Sequence, residues 1–188
     1  DRRVAPPRFA AQPFEKWWKQ RQPSRRGDRG LVVYFADTWM SAYWPEVGSA
    51  SVRLLEAAGF DVLAPSLRCC GRPALSKGLL DRVVTDAKWN IARLAEFVRR
   101  GAWIVGSEPS CILTFRDEIP ALLSTANARL VASRVRLVDE LLAEVDFQMP
   151  RATARSESKS ETKILVHGHC HQKALVGMTA SLKLLGQT

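Results

Sequence analysis

Four short apolar runs punctuate this chain, GLVVYFADT, FDVLAPS, GAWIVGSE and KILVHG, and the segments between them carry helical patterns. Each run is apolar at consecutive rather than alternate positions, which predicts strands buried on both faces. PEVGSASVRLLEAAG, with Pro45 at its start and Gly59 past its end, predicts a helix between the first two runs. Leu80, Val83, Val84, Ala87, Ile91, Leu94, Ala95 and Val98 recur at helical spacing and predict another before the third. Cys111 opens a further predicted helix, which Pro120 breaks or kinks. Two more are expected, from Asn127 to about Phe147 and from about Gln172 to Leu185.

Strands alternating with helices predict an α/β fold, a parallel sheet with helices on both faces in a Rossmann-like three-layer arrangement. A basic N-terminal arm is expected over residues 1–30, which hold nine Lys and Arg against Asp1, Glu15 and Asp28, or +6 of the formal +9. With Trp17 and Trp18 such an arm suits nucleic acid or anionic lipid, or it is a solvated connector with one short helix. No zinc-finger, helix-turn-helix or RNP pattern accompanies it, so no specific nucleic-acid partner is expected. PRATARSESKSETK, nearly free of apolar residues, predicts a flexible linker over residues 150–163. No apolar run is long enough for a membrane-spanning helix, and the first 30 residues lack the apolar core of a signal peptide. The expectation is a cytoplasmic protein, with peripheral association at the inner face of the membrane left open. The chain opens on Asp1 rather than Met, which reads as processing or as a piece of something longer.

In parallel sheets ligands gather at the carboxyl ends of the strands. Asp37 follows the first run, Cys69 and Cys70 the second, Glu108 and Cys111 the third, and His167, His169, Cys170 and His171 the fourth. All four cysteines and all three histidines are thus expected along one sheet edge. In CCGRP, adjacent thiols precede a glycine turn; they suit a metal cluster, or else pack as small hydrophobes. Cys111 at a helix start is placed to carry a thiolate, and Glu108 there is either a ligand or a cap. HGHCH offers thiolate and imidazole, donors that suit iron–sulfur clusters or zinc. On a strand, His169 and His171 would point away from Cys170, leaving at least one histidine in a supporting role.

DTWMSAYWPEVGSASVRLLEAAGFDV, CCGRPALSKGLLD, GSEPSCILTFRDE and HGHCHQKAL together resemble the cysteine-rich CCG domains of FAD-linked, iron–sulfur 2-hydroxy-acid dehydrogenases. Glycolate oxidase iron–sulfur subunits, anaerobic glycerol-3-phosphate dehydrogenases and heterodisulfide reductases share the domain type. The likeness covers about residues 31–186. It implies a first CCG-type domain over 31–149 and, over 164–188, the start of a truncated second repeat led by Cys170. The pattern departs at two positions, where Asp37 and Glu108 stand near expected cysteines.

The resemblance implies an electron-transfer module of an FAD-dependent oxidoreductase that oxidises a D-2-hydroxy acid. This chain would hold the metal, and hydride chemistry would belong to FAD in an upstream domain. Implied ligands of a 4Fe-4S-type cluster are Cys69, Cys70, Cys111 and Cys170, with His169, His171 and Glu108 in reserve. Flavin and ferredoxin-like domains of the same protein, and a quinone or other acceptor, are the implied partners. The alternative is a zinc-binding or metal-free structural domain that docks the other domains of such an enzyme.

Overall fold

The structure, a computed structural model, describes residues 5, 7–22, 27–150 and 163–187. Most of the expected linker and Arg2, Arg3, Arg25 and Arg26 of the basic arm lie outside the described residues. Helix α1 (Phe14–Gln20) precedes β1 (Leu31–Tyr34), and α2 (Thr38–Ala42) and α3 (Pro45–Ala57) lead to β2 (Asp61–Leu63). Then α4 (Arg72–Leu75) and α5 (Leu80–Arg99) lead to β3 (Trp103–Gly106). After it, α6 (Pro109–Thr114), α7 (Glu118–Leu123) and α8 (Ala126–Ser133) lead to β4 (Val135–Leu137). Finally α9 (Val138–Glu144), α10 (Cys170–Leu175) and α11 (Thr179–Leu185) close the described chain.

The four strands form one parallel sheet in the order β2-β1-β3-β4. Val33 sits opposite Leu63 and Ile104, and Val105 opposite Arg136. Successive side chains leave opposite faces of a strand. Val33, Phe35 and Ile104 therefore join Ile91, Leu94, Ile112 and Val131 in one core layer. Val32, Tyr34 and Val105 join Phe14, Val52, Leu55, Leu141 and Leu142 in the other. Both faces are covered, as the consecutive apolar runs require, and the α/β three-layer expectation holds.

Within the basic segment, α1 docks on this body. Phe14 is buried against Tyr34, with ring centroids 5.7 Å apart. Arg21 stacks over Trp18 at 3.9 Å and pairs with Glu56 at 2.5 Å.

Three expectations are corrected. The helix expected from Asn127 to about Phe147 is split by β4, because Arg134 ends α8 and Val135 and Leu137 turn into the core beside β3. The polar–apolar alternation of Arg134, Val135, Arg136 and Leu137 is a period-two signal that the longer helical pattern overrode. Arg134 and Arg136 flank the Trp103 ring at 4.7 and 4.8 Å, fixing this edge strand against its neighbour. KILVHG is not a strand. The place beside β3 is taken by β4, and Ile164 and Leu165 lie exposed without a ladder partner among the described residues. The helix expected from Cys111 through Pro120 is interrupted at Phe115–Asp117, and Pro120 falls within the first turn of α7, where a missing N–H costs least.

A Cβ on Gly106, the last residue of β3, would lie 2.8 Å from Ile112 Cβ, so strand and helix touch there. Gly106→Ala is expected to destabilise by about 1–3 kcal/mol, lowering Tm by several degrees in thermal unfolding followed by circular dichroism.

Candidate functional site

The carboxyl ends of β1, β2 and β3 open on one cleft of about 470 Å³, lined among others by Phe35, Asp37, Thr38, Arg68, Cys69, Cys70 and Cys111. Asp37 caps α2, its Oδ1 accepting the Met40 N–H at 2.9 Å. The residue is only 2% exposed, and its Oδ2 has no hydrogen-bond partner among the described residues. Burial pushes the carboxyl above the usual range; the Met40 bond opposes that rise and the Glu108 charge adds to it.

Cys69 and Cys70 enter on the loop between β2 and α4. Gly71, at φ 87°, adopts the left-handed conformation that starts α4, and a Cβ there would meet Val83 Cγ1 at 3.2 Å. Cys69 is exposed and Cys70 is buried. Both line the cleft together with Cys111, and Cys70 packs in the same core cluster as Cys111. The Gly71 and Arg72 backbone N–H groups act against the rise in the Cys69 and Cys70 thiol pKa values. The neighbouring Cys111 thiol, with burial added, pushes the Cys70 thiol up to about 12. Cys69 moves up as well, first through the adjacent Cys70 thiol and then through burial. Raised in this way, the free thiols are protonated at neutral pH.

Glu108 caps α6 through Oε2, which accepts the Cys111 N–H at 2.5 Å. Its Oε1 lies 3.5 Å from His169 Nε2. His169 is itself the cap of α10: its Nδ1 accepts the His171 N–H at 3.2 Å, so the ring proton sits on Nε2, toward Glu108 and Ser110 Oγ at 3.3 Å. His171 turns to Glu118, 3.7 Å away, which also pairs with Arg72 beside the vicinal cysteines. Burial and the Arg72 charge lower its pKa, so it is neutral at pH 7.

The expected sheet edge therefore collects Asp37, Cys69, Cys70, Glu108 and Cys111, while His169, Cys170 and His171 arrive differently. They begin a helix packed on α6 rather than ending a strand, so the expected alternation of side chains does not apply. Cys170 is exposed and does not line the cleft with the other three thiols. Among the described residues, no three His, Cys, Asp or Glu side chains converge where a single metal ion could sit.

Sequence reasoning passed over Asn90, which is fully buried on α5 and holds the Arg68–Cys69 backbone by three hydrogen bonds. It also passed over Asp86, which accepts from Arg68 at 3.2 Å and Arg82 at 2.8 Å. The available signal was polar residues on an apolar stripe: Asp86 and Asn90 share the buried face of α5 with Val83, Ala87, Ile91 and Leu94.

Several proteins of known activity are similar to the chain. It is 22% identical over 187 residues to a subunit of the anaerobic glycerol-3-phosphate dehydrogenase of Escherichia coli, covering 98% of this chain and 46% of that protein. It is 31% identical over 163 residues to lactate utilization protein A of Bacillus licheniformis, covering 82% and 63%. It is 30% identical over 150 residues to D-2-hydroxyglutarate dehydrogenase of Escherichia coli, covering 79% and 14%. The chain thus spans about half the length of the first of these relatives and a small part of the last. No family model matches it, and no solved structure matches at a significant level.

A carboxyl whose pKa rises on folding favours the fold at low pH and loses that contribution as pH climbs through the folded value. Asp37→Asn keeps the α2 cap and removes the unpartnered charge. It is expected to raise stability by about 1 kcal/mol at pH 7.5, a Tm gain of about 2–4 °C. The gain should shrink toward pH 4, as thermal unfolding at the two pH values checks.

Proposed function

We propose that this chain is the thiol-rich electron-transfer portion of an oxidoreductase that acts on a hydroxy acid, with an iron–sulfur cluster held at the cleft. The observation that carries the reading is the gathering of Cys69, Cys70 and Cys111 in one cleft, beside the unpartnered carboxylate oxygen of Asp37, at one sheet edge. In donor type this set fits an iron–sulfur cluster, which takes thiolates at several separated irons and admits an oxygen or nitrogen donor in place of one. In placement it is no ready-made single-ion site, which weighs against the zinc reading. Cys170, His169, His171 and Glu108 stand as further donors, carried in on α6 and α10.

A bound cluster supplies one-electron transfer. The chain's own residues do the rest. Asp37 and Glu108 set the local negative charge, and Phe35 and Leu67 exclude water from the inner wall. Two of the relatives are named for lactate and D-2-hydroxyglutarate, both 2-hydroxy acids, and this supports a D-2-hydroxy acid as the substrate of the whole protein. Hydride abstraction we assign to FAD on another domain, and the electrons to a quinone or comparable acceptor. Residues 31–149 then form a first CCG-type domain and residues 164–188 the start of a second.

Anaerobic reconstitution with ferrous iron and sulfide tests the reading. A brown protein with a reducible paramagnetic signal is expected, with iron retention falling about tenfold in Cys70→Ser and Cys111→Ser. Because each ligating thiol must lose its proton, metal uptake should release protons and strengthen as pH rises. A colourless chain that takes up zinc alone overturns the reading in favour of a structural docking domain.

A further inference from the structure

We propose that Asn90 is the positioning residue of the vicinal thiols, the group that fixes which way Cys69 and Cys70 face. The inference rests on the reading of the cleft as a metal centre, but its geometry stands apart from that reading. Asn90 lies in the middle of α5 with its side chain fully buried. A carboxamide carries two donor hydrogens and an acceptor oxygen. Here Oδ1 accepts the Arg68 N–H at 2.9 Å, and Nδ2 donates to the carbonyls of Arg68 at 3.1 Å and Cys69 at 3.3 Å. The amide therefore satisfies three groups of a loop that has no ladder of its own, immediately before the vicinal pair.

That clamp has a chemical consequence. With the carbonyls of residues 68 and 69 turned into α5, the chain leaves Cys69 already oriented. Gly71 then reverses it through its left-handed conformation. The result is an outward Cys69 and an inward Cys70, the latter 2% exposed and in the same core cluster as Cys111. Arg68 is held from the same helix, its guanidinium 3.2 Å from Asp86 and 5.1 Å from the Trp89 ring centroid. Asp86, Trp89 and Asn90 together grip one residue, Arg68, whose backbone sets the pair that follows. No other residue type of similar size supplies one acceptor and two donors at that depth. Aspartate loses the donors, and serine is too short to span both carbonyls.

The test uses the full metal-free chain and the rate at which iodoacetamide alkylates Cys70 under native conditions, resolved by peptide mass spectrometry. Cys70 reacts only when its loop opens. Asn90→Ser and Asn90→Ala are each expected to speed its alkylation by at least about tenfold, because two buried carbonyls and an N–H lose their partner. Val98→Ala, about two turns along the same helix and buried in the same core layer, serves as the control for general destabilisation. It should lower Tm without a comparable rise in the Cys70 rate. Equal rates in wild type and Asn90→Ser, or an equal rise in Val98→Ala, overturn the proposal. A second readout, iron retained after reconstitution, should fall in Asn90→Ser and hold in Val98→Ala. A wild-type chain that binds no iron defeats the cluster reading alone, since the alkylation rates still decide the role of Asn90.

Discussion

Everything at the site depends on the parallel pairing of β1 with β3 and β2. Val33 opposite Ile104 on one side and Leu63 on the other brings three strand ends to one edge. The segments that leave those ends carry Asp37, Cys69 with Cys70, and Glu108 with Cys111. Antiparallel pairing would send alternate loops to opposite ends of the sheet. Residues 33 positions apart in the chain, such as Asp37 and Cys70, could not then share a cleft.

The core and the cleft are built by the same alternation. Side chains of β1 point in turn to the two helical layers, so the sheet is pinned from both faces by Leu55 and Leu94 and has little freedom to slide. A one-residue slip would exchange Val32 for Val33 and place Tyr34 in the wrong layer. Tyr34 is buried with its hydroxyl bound to Ser107, itself bonded to Ser51 at 2.9 Å, which ties β1 to the turn before Glu108. This buried polar chain reaches the segment that presents Cys111. Its loss would be felt at the cleft as well as in the core.

Much of this was legible in the residues. Consecutive apolar runs announced three of the four strands, and Pro45, Gly59 and the stripe through Leu94 announced two helices close to where they stand. CCGRP announced its own turn through Gly71. The fourth strand was hidden because Val135 and Leu137 fit a helical stripe as well as a strand, and pairing with β3 decided between them. KILVHG failed for the opposite reason: its local pattern is strand-like, but the sheet offers it no open edge next to β3. The site was read from its thiols, while the groups that hold them were not. Asn90 and Asp86 act through backbone and guanidinium contacts across about twenty residues of chain, which no local pattern records.

The central claim is that Cys69, Cys70 and Cys111 gather in one cleft at the carboxyl edge of the sheet. A trivalent arsenical, which bonds only to thiols that lie side by side, tests it most directly on the metal-free chain. The account predicts uptake of one phenylarsine oxide per chain, mapped by mass spectrometry to Cys70 with Cys69 or Cys111 and unchanged in Cys170→Ser. No uptake, or a bridge that requires Cys170, would contradict it.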